Sequence, residues 1–231
     1  MSELLPRIIS NEPLAPLPSS EGELARCLAD HEWRLFSGCL YKIMVKGDDE
    51  AEEAMVMPFR PNRAQRRFCR RLWHRNLILK ARQMGFTTLI AILWLDHALF
   101  NADQRCGIIA QDRDAAKVIF RDKVKFAYNS LPEALRERFP LEADNADELL
   151  FAHNNSSIRV ATSMRSGTIH RLHVSEFGKI CAKYPDKAQE VVTGSIPAVP
   201  TNAVLVIEST AEGREGEFFG MVEQSQKLHA S

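Results

Sequence analysis

The sequence predicts an α/β fold: a mainly parallel sheet with helices on both faces, preceded by a small helical N-terminal segment. Three observations predict it. Short apolar runs without polar alternation, at residues 77–79, 105–110 and 203–208, suit strands buried on both sides. Longer segments between and after them, at 86–100, 114–130 and 217–228, have the length and apolar spacing of helices. The recurring order of strand, helix and strand builds parallel pairs through crossover connections.

Taken in order, residues 1–20 hold Pro6, Pro13, Pro16 and Pro18 among small and polar residues, which describes a loose or draped leader. Residues 21–45 read as helix, with Leu24, Leu28, Leu35 and Leu40 apolar and Ser20 as N-cap three places before Glu23. Residues 46–53 form a charged loop, so the expected division is a leader and helical segment at 1–57 and one α/β domain at 58–231. A Pro-containing turn at 57–61 then feeds a helix that carries Gln65 among arginines. Residues 148–152 and 157–162 flank His-Asn-Asn-Ser, a hairpin signature. A strand beginning at Arg171 ends at Glu176, a short helix follows at 187–196, and the strand at 203–208 leads to the closing helix.

A chain of 231 residues, 45% of them hydrophobic, can bury one full-sized core. Formal charge is zero, but its distribution is uneven. Between residues 60 and 82 stand Arg60, Arg63, Arg66, Arg67, Arg70, Arg71, Arg75, Lys80 and Arg82 without one acid, just after the acidic run Asp48, Asp49, Glu50, Glu52 and Glu53. Such a block suits an anionic partner, nucleotide or nucleic acid, and equally suits a solvated face paired with the acidic run. The five cysteines are dispersed, with no C-x-x-C and no Cys/His metal spacing, which fits free thiols in a reducing compartment. No signal peptide opens the chain and its longest apolar run is far too short to span a bilayer, so a soluble intracellular protein without membrane contact is expected.

The most informative stretch begins at Asn76. An apolar strand, a polar turn containing Gly85 and a long apolar helix follow one another directly, which is the order of a phosphate-binding loop. Against the pattern G-x-x-x-x-G-K-[ST], residues 80–87 place Lys80 at the first glycine and Phe86 at the lysine. Lys80 and Arg82 are the local cations that could take the missing ammonium's place, and Thr87 or Thr88 offers the hydroxyl for Mg²⁺. Ligands of open α/β sheets bind beyond the carboxyl ends of strands, where Ser175-Glu176 and Ser209-Thr210-Ala211 also fall. Glu176 is placed to act as general base on a water attacking the γ-phosphate. The amide of Gln65, donor and acceptor together, could read an adenine edge.

Five segments in order carry a family resemblance: Pro61-Asn-Arg-Ala-Gln-Arg-Arg-Phe, Lys80-Ala-Arg-Gln-Met-Gly-Phe-Thr-Thr, Met164-Arg-Ser-Gly-Thr-Ile-His, Leu172-His-Val-Ser-Glu-Phe and Glu208-Ser-Thr-Ala-Glu-Gly. The chain resembles the ATPase domain of the large terminase subunit of tailed bacteriophages, from about Pro58 onward. The resemblance implies a P-loop NTPase of the ASCE, RecA-like class that uses ATP and Mg²⁺ to drive double-stranded DNA into a procapsid in the host cytoplasm. It implies a homo-oligomeric ring with the portal protein and the small terminase subunit as partners. Residue by residue, Gln65 would contact adenine, and Lys80, Arg82, Gln83, Met84, Gly85, Phe86, Thr87 and Thr88 would form a variant Walker A loop. Thr87 and Ser175 would lie on the metal side, and Glu176 would activate water. Arg82 would act on the γ-phosphate in cis and Arg165 in trans on a neighbouring subunit. Ser209, Thr210 and Ala211 would couple phosphate loss to DNA movement.

The chain departs from that family in having Ser175 where Walker B ordinarily has aspartate, and Phe86 where Walker A has lysine. It is also too short to add an RNase H-like nuclease domain, so DNA cleavage is not expected of it. Two rival readings remain at this stage: a fragment of a superfamily 2 helicase or translocase, and a degenerate P-loop module that binds nucleotide or DNA without hydrolysis.

Overall fold

The computed structural model describes residues 7–46, 53–165 and 167–230. Its centre is a seven-stranded sheet in the order β4 (Arg75–Leu79), β10 (Val204–Ser209), β9 (Arg171–Ser175), β5 (Arg105–Ile109), β8 (Ser157–Ala161), β7 (Glu148–Phe151) and β6 (Leu141–Asp144). The first five strands are mutually parallel; β7 and β6 add an antiparallel edge. Alternate residues of one strand enter opposite cores, as two-sided burial requires. On β10, Val206 joins one core while Leu205 and Ile207 join the other, and on β5 Ile108 and Ile109 divide in the same way.

One face is covered by α4 (Phe86–Phe100), apolar around nearly its whole circumference, with Leu89, Ile90, Ala91, Ile92, Trp94, Leu95 and Ala98 fully buried. Beside it runs a helix built from α5 (Arg113–Ile119), a π-helical stretch over Phe120–Lys125 and α6 (Phe126–Asn129), followed by α7 (Glu133–Arg138). The other face carries α8 (Phe177–Lys183), α9 (Pro185–Glu190) with a π-helical continuation over Val191–Ser195, and α10 (Gly216–Ala230). The expected α/β architecture with both faces covered is therefore present. The expected helix at 114–130 carries a widened turn in its middle, and α8 occupies residues to which the sequence assigned no element.

The N-terminal segment departs from expectation. The helix anticipated over 21–45 is two short helices, α1 (Glu21–Ala29) and α2 (His31–Phe36), followed by a strand, β2 (Lys42–Lys46). Asp30 separates the helices: its carboxylate accepts from Glu32 N and Trp33 N, which caps α2, while its own N–H closes α1 on Cys27 O. Gly38, at φ +75°, takes a left-handed conformation that no helix interior admits, and the β-branched pair Ile43 and Val45 favours the strand beyond it. The leader contributes β1 (Arg7–Asn11), which pairs parallel with β3 (Glu53–Pro58), and β2 pairs antiparallel on the other side of β3. Past β1 the chain is draped, tied by Glu12 N to Val56 O and Ala15 N to Gly38 O. The charged loop and most of its acidic run lie outside the described residues.

Candidate functional site

The strand order places β4, β10 and β9 side by side, and their carboxyl ends converge. Register fixes the neighbours: Glu208 stands opposite Ser175 on one side and Ile78 on the other. Beyond β4 the pairing continues, Lys80 N donating to Ser209 O at 3.0 Å. Turning from there into α4 takes two left-handed residues, Gln83 at φ 60° and Gly85 at φ 69°, the second of them the helix N-cap. No side chain caps α4, whose first backbone bond is Leu89 N to Gly85 O, so the N–H groups of Phe86, Thr87 and Thr88 have no partner within the helix. Unpartnered N–H groups at a helix start are of the kind that can take an anion.

Gln65 braces this loop. Its Nε2 donates to Gly85 O at 2.9 Å and to Met84 O at 3.4 Å, while its Oε1 accepts from Asn62 N in a capping box at the start of α3 (Arg63–Cys69). It is 6% exposed, so the amide that could face adenine is engaged with the loop backbone here. Phe86 points into the core and meets the Phe68 ring edge-on at 5.7 Å, which leaves only its backbone N–H to offer a phosphate. The two threonines separate: Thr88 Oγ1 accepts from Lys123 Nζ at 2.8 Å, out of the π-helical stretch, while Thr87 Oγ1 donates to Glu208 Oε1 at 3.1 Å and lies 3.4 Å from Ser175 Oγ.

Lys80 is held between two acids, its Nζ 2.9 Å from Glu176 Oε1 and 3.1 Å from Glu208 Oε2. Burial works against the ammonium, but the two carboxylates hold its proton more tightly than usual. Glu176 itself sits in the left-handed region at φ 54°, uncommon for a residue with a side chain and a recurrent sign of a constrained functional position. Its other oxygen meets Lys179 Nζ at 3.1 Å and Thr210 Oγ1 at 3.4 Å.

Glu208 is the residue that sequence reasoning missed as a site. It is fully buried, accepts from both Ser175 Oγ (2.9 Å) and Thr87 Oγ1, and has His173 Nε2 at 3.4 Å without hydrogen-bond alignment. Burial would raise its carboxyl, yet the His173 ring and the Lys80 ammonium outweigh it and hold the group at about 2. The available signal was the acid ending the apolar run at 203–208, one strand-end from the loop; only the strand order shows it to be Ser175's neighbour.

Of the remaining expected site residues, Arg82 is exposed and makes no ion pair among the described residues. Ser209 is buried beside Gly178, and Ala211 lines a 530 Å³ cavity with Phe218 and Phe219. Arg165 is apart from the cluster, paired with Glu190 through Nε at 2.6 Å on the rim of a 630 Å³ cavity. The strand ends thus gather Lys80, Thr87 and Ser175 around Glu208, with Glu176 joined through Lys80, Thr210 against Glu176, and Arg82 on the adjoining loop.

No protein-family model matches the chain and no curated protein matches it. Among solved structures, it is similar to the large terminase of bacteriophage HK97, at TM-score 0.57 and 17% identity, over 75% of this chain and 38% of that one. It is also similar to a mutant of the Thermus phage P74-26 large terminase ATPase domain, at TM-score 0.51 and 19% identity, over 68% of each chain. At such identities the likeness is one of fold: the chain has the fold of the phage large-terminase ATPase domains, and it spans well under half of the HK97 protein.

Proposed function

We propose that this chain is the ATP-hydrolysing motor domain of a phage DNA-packaging terminase, working with Mg²⁺ in a homo-oligomeric ring on double-stranded DNA, with the portal protein and a small terminase subunit as partners. The observation that carries the reading is the meeting of an uncapped helix start with Thr87, Glu176 and Lys80 at the ends of three adjacent parallel strands. The donor set fits the group: a threonine hydroxyl, a serine hydroxyl and a carboxylate within 3.4 Å of one another are hard oxygens of the kind Mg²⁺ takes alongside phosphates.

In this reading the backbone N–H groups at the start of α4 bind phosphate oxygens, with cationic support from Lys80 within the cluster and Arg82 on the exposed loop. Thr87 turns its hydroxyl to the metal side. Mg²⁺, when bound with ATP, neutralises charge that develops on the phosphates. Glu176 orients the attacking water and accepts its proton, and Thr210, in reach of that carboxylate, passes the change through Ser209 and Ala211. Arg165 supplies the trans arginine to a neighbouring subunit. On and just beyond α3, Arg63, Arg67, Arg70 and Arg71 are exposed and make no ion pair among the described residues, which suits DNA held through its phosphates without sequence preference.

The test is phosphate release by the purified chain, with and without duplex DNA, beside ATP binding by Glu176→Gln. Retained binding with hydrolysis reduced at least about a hundredfold is expected, the scale of a lost general base. Undiminished turnover, or an equal loss of binding, removes Glu176 from its role; no nucleotide binding by the parent chain removes the ATPase reading altogether.

A further inference from the structure

We propose that Glu208 supplies the metal-side carboxylate that residue 175, a serine, cannot, so that the acid has moved one strand over, from β9 to β10. The inference rests on the ATPase reading and deepens it. P-loop NTPases hold Mg²⁺ with the loop's Ser or Thr and an aspartate at the end of a neighbouring strand. Here the loop threonine already touches a carboxylate, and that carboxylate is Glu208.

Three features fit this assignment. Glu208 and Ser175 are partners in register across β10 and β9, so an acid at either position reaches the same place beyond the strand ends. Glutamate is one methylene longer than aspartate, and its Oε1 receives both hydroxyls, Ser175 at 2.9 Å and Thr87 at 3.1 Å. Each hydroxyl has one proton, so both are committed to Glu208 and the 3.4 Å contact between them carries none. Ser175 thereby becomes a positioning residue that fixes the Glu208 rotamer, and a small residue at 175 leaves the room the longer acid needs. The site retains one metal-side carboxylate, placed beside the hydroxyl it serves.

A purely structural role, as buried counter-ion to Lys80, is the competing account. The two differ in how nucleotide binding depends on the metal. Affinity of the purified chain for a fluorescent ATP analogue is measured across a Mg²⁺ titration and in EDTA, for the parent, for Glu208→Gln and for the exchange Ser175→Asp/Glu208→Gln, with thermal melting as the check on folding. The expected result is a metal-free affinity within about threefold of the parent for Glu208→Gln, and at least tenfold more Mg²⁺ needed for half-maximal tightening. The exchange variant, which keeps an acid in the cluster should Glu208→Gln fail to fold, is expected to restore the parent's Mg²⁺ demand. Overturning results are an unchanged Mg²⁺ demand in folded Glu208→Gln, an affinity loss equal with and without Mg²⁺, or an exchange variant still needing tenfold more metal. A parent that binds the analogue while these outcomes appear leaves the ATPase reading standing and removes only Glu208; a parent that binds none in any condition fails the ATPase reading first.

Discussion

At the scale of single residues, the loop's two cations and its bracing amide carry separable consequences. Lys80 is buried against two carboxylates whereas Arg82 is exposed, so removing each should do different things. Lys80→Ala leaves Glu176 and Glu208 without their shared counter-charge and is expected to cost about 3–5 kcal/mol in urea unfolding. Arg82→Ala should leave stability within about 0.5 kcal/mol of the parent while weakening ATP binding or turnover. If both substitutions left nucleotide affinity intact, the displaced-cation account would be wrong. Gln65 offers a sharper discrimination. As a brace on Gly85 and Met84 it supports the loop for any nucleotide, so Gln65→Ala should weaken ATP and GTP by the same factor and lower stability by about 1–2 kcal/mol through the lost capping box. A loss confined to ATP would restore the adenine-reading role implied by its motif.

At the scale of elements, what could be read in advance followed from burial. Strands buried in the middle of a sheet carry mostly apolar residues, so β5 and β10 were legible as apolar runs, the edge strand β4 as the shorter run at 77–79, and α4 as a longer one. The polar residues just past β4, β9 and β10 were legible as site candidates for the same reason: they are where the runs stop. Glu208 was not, because its meaning depends on which strand lies beside β9, and no local pattern encodes that. The π-helical turns were equally hidden, since no local pattern marks the change of bonding and the residues that enter and leave them have ordinary helical dihedrals; yet one of them brings Lys123 to Thr88. In the N-terminal segment, leucine spacing suggested one helix, and Asp30 and Gly38 overrode it through the backbone. Helix α4 also carries a pH dependence. Burial and then Arg171 lower the His97 pKa from 6.5 to about 4, outweighing the Gln104 oxygen at Nε2, which favours the charged ring; Asn101 can donate to Nδ1 only while that nitrogen is unprotonated. Unfolded chains therefore bind the proton first as pH falls, so the stability owed to neutral His97 is complete above about 6.5 and is lost progressively toward 4, amounting to about 3 kcal/mol. Urea midpoints measured from pH 7.5 to 4 should show this decline, and His97→Gln should flatten the part of it between 6.5 and 4. An identical slope in both proteins would exclude His97 as its source.

At the scale of the whole molecule, the question is whether the N-terminal segment is an appendage or part of the α/β fold, and one acid in α4 decides it. Asp96 is fully buried, yet it faces the N-terminal segment: Arg34 donates from Nε and Nη2 at 2.9 and 2.8 Å, Tyr41 Oη donates at 2.8 Å, and Arg34 also lies over the Phe100 ring. Burial and then Asp96 push the Tyr41 hydroxyl well above its usual range, so it remains a donor throughout the working pH range. A charge placed inside an otherwise apolar helix is costly unless its partner is always present, which makes α2 and β2 obligatory neighbours of the core. Asp96→Ala strands the Arg34 guanidinium in a site that is 7% exposed and should lower global stability by about 3–5 kcal/mol. Hydrogen exchange should then accelerate over residues 31–46 far more than over β9 and β10, because the site's strand ends share no hydrogen bond with Asp96. Nucleotide affinity per folded molecule should stay near the parent's. A stability loss below about 1 kcal/mol, or faster exchange spread evenly over the chain, would mean that the segment is docked by its apolar contacts alone and that the boundary near Pro58 separates two independently folding parts.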